Sequence, residues 1–218
     1  MNSADWAGLL DRVAAFIWRY VMLSPAQLNA VVLWIAHTHC FDAADSTPYL
    51  SITSAEMRCG KSRLLEVLDL LVCRPWLTAR VSAAVLPRKI QAERPSLLLD
   101  ESDTAFGGQK DYAEALRGIL NSGHRRGGCV SLCAGQGTKI NYKNFDTFCP
   151  KAIAGIGRLP DTIADRSIPI RLKRRISRER VERFRRYQIR HVLLKQRTLG
   201  LPSDVNATRS TPGFPAAR

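Results

Sequence analysis

Residues 49–63 read YLSITSAEMRCGKSR, an apolar run that breaks into a short loop and closes on Gly60-Lys61-Ser62. The pattern predicts a buried strand, a tight turn and the start of a helix. Backbone N–H groups of such a turn, together with the helix N-terminus, carry partial positive charge. Lys61 can reach outer phosphates and the Ser62 hydroxyl can ligate magnesium, so the turn residues Ala55, Cys59, Gly60, Lys61 and Ser62 form a candidate site for a nucleoside triphosphate. The usual pattern opens on glycine five residues before the Gly-Lys pair, and here that residue is Ala55. A positive φ there would carry a steric cost. The competing reading is a chance Gly-Lys-Ser at a helix N-cap.

A second stretch bears on that choice. Ser96-Leu97-Leu98-Leu99-Asp100-Glu101 places three leucines between Pro95 and an acidic pair, which predicts a fully buried parallel strand with carboxylates at its C-terminal end. Asp100 suits a hydrated metal ion and Glu101 suits polarising a water for attack on a γ-phosphate. Alone, the pair could be a solvated turn; behind a Gly-Lys-Ser turn it reads as a site.

Outward from these motifs, strands and helices alternate, which predicts a helix-covered parallel sheet with its ligands beyond the carboxyl ends of the strands. Residues 5–22 carry Leu9, Val13, Phe16, Ile17 and Tyr20 at helical spacing. Ser24-Pro25 opens a second helix through about His39, with Leu28, Val31, Val32 and Ile35 inside. His37 and His39 are expected to meet that helix's dipole rather than a metal. Further helices are expected over 62–73, ended by Pro75, and over 83–93 and 111–122; strands over 76–81, 151–157 and 167–172. Glycine and polar residues between the runs 129–133 and 140–148 predict a hairpin carrying Lys139 and Lys143. Ser177 can cap a basic helix with Val181, Phe184, Ile189 and Val192 as its stripe. The domain reading is therefore a helical lead-in over 1–48, a core over 49–176, a basic helix over 177–199 and a disordered tail over 200–218.

The chain has 218 residues and a formal charge of +14, with twelve Lys or Arg between 171 and 197 against Glu179 and Glu182. A polyanionic partner follows from that density, with a solvated basic helix as the alternative. No run is long and apolar enough to span a membrane and no signal peptide opens the chain, so a cytoplasmic location is expected. The six cysteines form no Cys-x-x-Cys pair and read as reduced, mostly buried thiols.

The phrases TPYLSITSAEMRCGKSRLLEVL, PSLLLDESD, ALRGILNSGHRRGG and PKAIAGIGRLPDTIADRSIPIRLKRR resemble the ATPase domain of phage, plasmid and mycobacterial mobile-element replication proteins, often fused to a primase, over about residues 8–186. More distantly the order of motifs is similar to superfamily 3 and AAA+ helicase cores. The resemblance implies a three-layer α/β P-loop NTPase of AAA+-like class that binds ATP and Mg2+, acts on nucleic acid, most simply single-stranded DNA, and forms a homo-oligomer or ring beside a separately encoded primase. It implies Lys61 and Ser62 on phosphate and magnesium, Asp100 on the metal, Glu101 on the water, and Arg166 as the arginine completing a neighbouring subunit's site, with Arg158 as a second candidate. Lys139 and Lys143 would touch DNA from a hairpin ahead of the fourth core strand. Arg166 also reads as a surface arginine paired with Asp161 or Asp165, and the two lysines as a solvated tip. Where those helicases end their fourth strand on asparagine, this chain has Gly157. With Ala55, that difference keeps open a non-hydrolysing, nucleotide-dependent DNA-binding or scaffold module, or a truncated remnant.

Overall fold

The computed structural model describes residues 5–79, 81–100, 110–134, 141–176, 181–187 and 189. The chain divides into two compact units, residues 1–184 and 185–218. In the second unit, Arg186, Tyr187 and Ile189 are helical, and the Ile189 N–H donates to the Arg185 carbonyl at 3.1 Å.

The first unit is built on five parallel strands. They are β1 (Tyr49–Ser54), β2 (Pro75–Thr78), β3 (Ser96–Leu99), β6 (Lys151–Ile156) and β7 (Ser167–Leu172), in the order β2-β3-β6-β1-β7. Strands β4 (Cys129–Ala134) and β5 (Asn141–Asp146) form a separate antiparallel hairpin between β3 and β6 in the chain, as their composition predicts. Leu97, Leu98 and Leu99 are fully buried, which is why β3 shows no alternation. Tyr49, Leu97, Leu99 and Ile153 pack on one face with α4 (Val85–Glu93), α5 (Lys110–Ser122) and α6 (Asp161–Ala164) through Leu86, Ile90, Leu116, Leu120 and Ile163. Helix α3 (Lys61–Leu71) buries Leu64, Leu65, Val67 and Leu68. The result is an α/β fold with a parallel central sheet flanked by helices.

Helix α2 (Pro25–Cys40) begins as expected. The Ser24 hydroxyl accepts from the Gln27 N–H at 3.2 Å and the Gln27 side chain accepts from the Ser24 N–H at 3.0 Å, a reciprocal cap with proline in the first turn. Its residues are buried on most sides. Helix α1 (Trp6–Trp18) buries a narrower stripe than expected: Ala14 and Ile17 are covered, while Leu9 is 40% exposed. One helical neighbour covers two or three rows of side chains, not a broad face.

Three other expectations change. Pro75 does not end α3; the helix stops at Leu71, Val72 is extended, and Pro75 opens β2, at the first residue of an edge strand where its missing N–H breaks no ladder. Residues 181–185 are not the start of a basic helix. The Glu182 N–H donates to the Arg19 carbonyl at 2.8 Å and Phe184 is buried, a docking incompatible with a continuous helix through this segment. Cys149 is buried, but Cys40, Cys129 and Cys133 are exposed, two of them on a hairpin outside the main sheet. Among the described residues no helix is long and apolar enough to cross a membrane.

At the amino end of the sheet Lys151 is wholly buried. Its ammonium donates to the carbonyls of Gly123, Thr147 and Cys149 at 3.0, 2.8 and 3.0 Å and lies 5.0 Å from the centre of the Tyr49 ring. Three donors meet three acceptors, offsetting the burial that lowers its pKa. This ties the root of the hairpin to the end of α5.

Candidate functional site

Strand β1 delivers the chain to its carboxyl end at Ser54, and residues 55–60 turn it into α3. Gly60 is the N-cap, with φ of +90°, and no side chain caps the helix. The first-turn N–H groups therefore keep their capacity to bind an anion. Ala55 does not have a positive φ; the left-handed residues of this turn are Gly60 and Arg58, at φ of 61°. The steric objection to Ala55 is thereby removed, and the strain falls on Arg58 instead.

The Lys61 ammonium folds back over the turn, donating to the Ser54 hydroxyl at 2.6 Å and the Glu56 carbonyl at 3.3 Å. The Ser54 hydroxyl donates in turn to the Glu56 carbonyl at 2.6 Å. Ser62 is exposed, and Cys59 is half-buried with its thiol toward the Met57 carbonyl. Beside this turn lies a cavity of about 610 Å³, within the usual range for a small-molecule site. Its walls are Tyr20–Met22 after α1, residues 58–63, Lys173 and Arg175 after β7, and the 181–184 segment. The helical lead-in thus lies beside the candidate phosphate turn, as expected. Arg58, Lys61, Arg63, Lys173, Arg175 and Arg183 bring six cations to this wall. Glu66 pairs with Arg63 at 2.8 Å and Glu182 with Arg19 at 2.9 Å. Lys173, Arg175 and Arg183 were visible in the sequence only as part of a basic run; no spacing rule connects them to residue 60.

A larger cavity of about 1030 Å³ lies between β7 and α6 and is lined by Ala55, Gly157 and Arg158 but by none of Gly60, Lys61 or Ser62. Its cations Arg158, Arg171 and Lys173 share the wall with Asp161 and Asp165, so it is less strongly cationic than the cavity beside Gly60. Gly157 has φ of +83° and its N–H points to the Ser54 carbonyl at 3.4 Å, so glycine meets a backbone requirement there.

Asp100 follows β3 at the same end of the sheet, its N–H bonded to the Thr78 carbonyl at 2.9 Å. One strand, β6, separates β1 from β3, which places the two strand axes about 10 Å apart. Glu101 and Lys139 lie outside the described residues. Arg166 is not brought to this site. Its carbonyl accepts from the N–H of Tyr49, the first residue of β1, so it stands at the amino end of the sheet, about 16 Å of strand from the turn after Ser54. Its guanidinium donates to the Asn121 side chain at 3.1 Å and to the Thr162 carbonyl, not to Asp161 or Asp165. Asp161 instead meets the highly exposed Arg158 at 3.6 Å.

His37 and His39 hydrogen-bond to Thr47 and to the Leu71 carbonyl at 2.9 and 2.8 Å, and burial lowers the His37 pKa. Among the described residues no group of three His, Cys, Asp or Glu could hold a metal ion by itself. Magnesium brought on phosphates would need fewer protein ligands, and Ser62 and Asp100 are of the right type. No family model matches this chain, and no curated protein sequence matches it.

Proposed function

We propose that this chain binds ATP with magnesium at the Gly60–Ser62 turn and hydrolyses it as a helicase-like motor of AAA+-like P-loop class. It would act on single-stranded nucleic acid in replication or maintenance of a mobile element, as a homo-oligomer or ring. The observation that carries the reading is the uncapped N-terminus of α3 on a left-handed Gly60, with Lys61 folded over the turn, at the same sheet end as Asp100. The cavity beside it carries six cations, the charge a polyphosphate requires. In this reading Lys61, with the cations around it, neutralises phosphate charge. Ser62 and Asp100 would hold the metal, whose chemistry when bound would be to stabilise charge on the phosphoryl group, and Glu101 would orient the water. Arg166, remote from its own chain's turn, would serve a neighbour's site.

A second reading, a nucleotide-dependent DNA-binding module without turnover, draws on Gly157, which offers no side chain where related helicases have asparagine. Magnesium-dependent ATP hydrolysis, measured with and without single-stranded DNA in the parent, Lys61→Ala and Glu101→Gln, separates the two. Hydrolysis lost in both variants is the expected result. Nucleotide binding that depends on Lys61, without turnover in the parent, would select the second reading.

A further inference from the structure

The β4–β5 hairpin has one covered edge and one open edge. One step beyond the Cys129–Asp146 pair of its ladder, the Thr147 N–H donates to the Gly128 carbonyl at 2.9 Å. Antiparallel strands exchange bonds at every second pair. Val130, Leu132 and Ala134 therefore bond to β5, while Cys129, Ser131 and Cys133 turn their N–H and C=O groups away from it. On β5 the outward N–H groups of Asp146 and Tyr142 are taken, by the Gln91 side chain of α4 at 3.1 Å and by the Asn141 side chain at 2.9 Å. On β4, among the described residues, no group pairs with the outward N–H and C=O groups, and Cys129, Ser131 and Cys133 are exposed.

Open strand edges invite pairing with another chain, and charge or proline is the usual guard. The other edge strands here have one: β2 opens on Pro75, β7 carries Pro169 and Arg171, and β5 carries Lys143 and Asp146. Strand β4 reads Cys-Val-Ser-Leu-Cys-Ala, without charge, proline or a break in register. Its pattern is also self-complementary. About a two-fold axis at Ser131, each outward-turned residue meets another: Ser131 meets Ser131 of a second copy, and Cys129 meets its Cys133. All their N–H and C=O groups then bond, Val130 faces Leu132 of the other copy, and no like charges oppose the approach. We infer that the outer edge of β4 pairs antiparallel with the same edge of a second copy of this chain, joining two hairpins into one four-stranded sheet. Such a sheet is more stable than a two-stranded ribbon. The contact is isologous, so it differs from the head-to-tail contact that would carry Arg166 to a neighbour's site, and it does not rest on the ATPase reading.

The test is thiol crosslinking of the full chain by bismaleimidoethane, in a mixture of unlabelled and isotope-labelled protein. Opposed Cys129 and Cys133 would have α carbons about 5.5 Å apart. Like-numbered cysteines of the two copies, and Cys129 and Cys133 of one chain, stand about 14 Å apart along the strand. The expected product is a Cys129–Cys133 crosslink joining a labelled to an unlabelled chain. Cys129→Ser and Cys133→Ser are each expected to lose it alone and to regain it when mixed. By sedimentation equilibrium, Ser131→Pro is expected to weaken association about thirtyfold, because it removes the bonded N–H at the axis from both chains. Ser131→Lys should weaken it severalfold by opposing like charges there, and Ser131→Thr should keep it. No crosslink between chains, or links only between like-numbered cysteines, would overturn the pairing. Equal association of the parent and both the Pro and Lys variants would do the same. Slow hydrogen exchange at residues 129, 131 and 133 in a parent that stays monomeric would overturn it in favour of an edge covered by its own chain. Magnesium-dependent ATP hydrolysis is read separately, so failure here leaves the proposed function standing.

Discussion

Arg58 and Gly60 show how one turn divides its conformational cost. A left-handed arginine costs about 1–2 kcal/mol and a left-handed glycine costs almost none, so the turn places its strain on Arg58, two residues before the N-cap, and keeps Gly60 free of it. Gly157 follows the same logic at the end of β6. A Cβ built there meets nothing within 4 Å, so only the backbone opposes a side chain. Gly157→Ala is expected to lose about 1 kcal/mol in urea unfolding, and Gly157→Asn less, because asparagine tolerates the left-handed region. Equal stability of all three would show that the φ of +83° is not maintained. At this scale the sequence was partly legible. Gly60 and Lys61 declared themselves by spacing, whereas Ala55 was suspected of a strain that Arg58 bears, since residue identity alone does not say which peptide of a loop turns over.

Elements were legible where their signals are local. Ser24, Pro25 and Gln27 specify the start of α2 within four residues, and three leucines specify β3 because no polar residue interrupts them. The 181–184 segment was not legible. Its charge and Ser177 suggested a helix, but Phe184 packs edge-on against Tyr20 with ring centres 5.0 Å apart. The Arg63 guanidinium lies 5.1 Å from the Phe184 ring and donates to its carbonyl at 3.2 Å. A buried aromatic with these partners outweighs a helix propensity of a few tenths of a kcal/mol per residue. Because this strap forms one wall of the candidate nucleotide cavity, Phe184→Ala is expected to destabilise the fold by about 3 kcal/mol and to weaken binding of a fluorescent ATP analogue. Phe184→Leu should recover most of both. Loss of stability without any change in nucleotide affinity would separate the strap from the site.

For the whole molecule, the parallel sheet sets a polarity. The Gly-Lys-Ser turn and Asp100 stand at its carboxyl end, and Arg166 and Lys151 at its amino end. Under the proposed reading Arg166 would assist hydrolysis from a neighbouring chain, and turnover per chain is then expected to rise with protein concentration. Arg166→Ala is expected to bind nucleotide normally yet turn over about a thousandfold more slowly or worse. Mixing it with Glu101→Gln should restore part of the activity, because intact halves then meet at shared sites. Two inactive variants that stay inactive when mixed would remove Arg166 from the site.

By itself the sequence determined the alternation of strands and helices, the hairpin and the cap of α2. Each depends on backbone preferences and side-chain periods that act over a few residues. Only the tertiary structure decided that β6 lies between β1 and β3, that Leu9 stays exposed and that Phe184 docks beside Arg63. It alone set Arg166 at the far end of the sheet. Those outcomes depend on which surfaces are covered once the sheet is assembled, and burial is a property of the packed chain, not of any stretch of it.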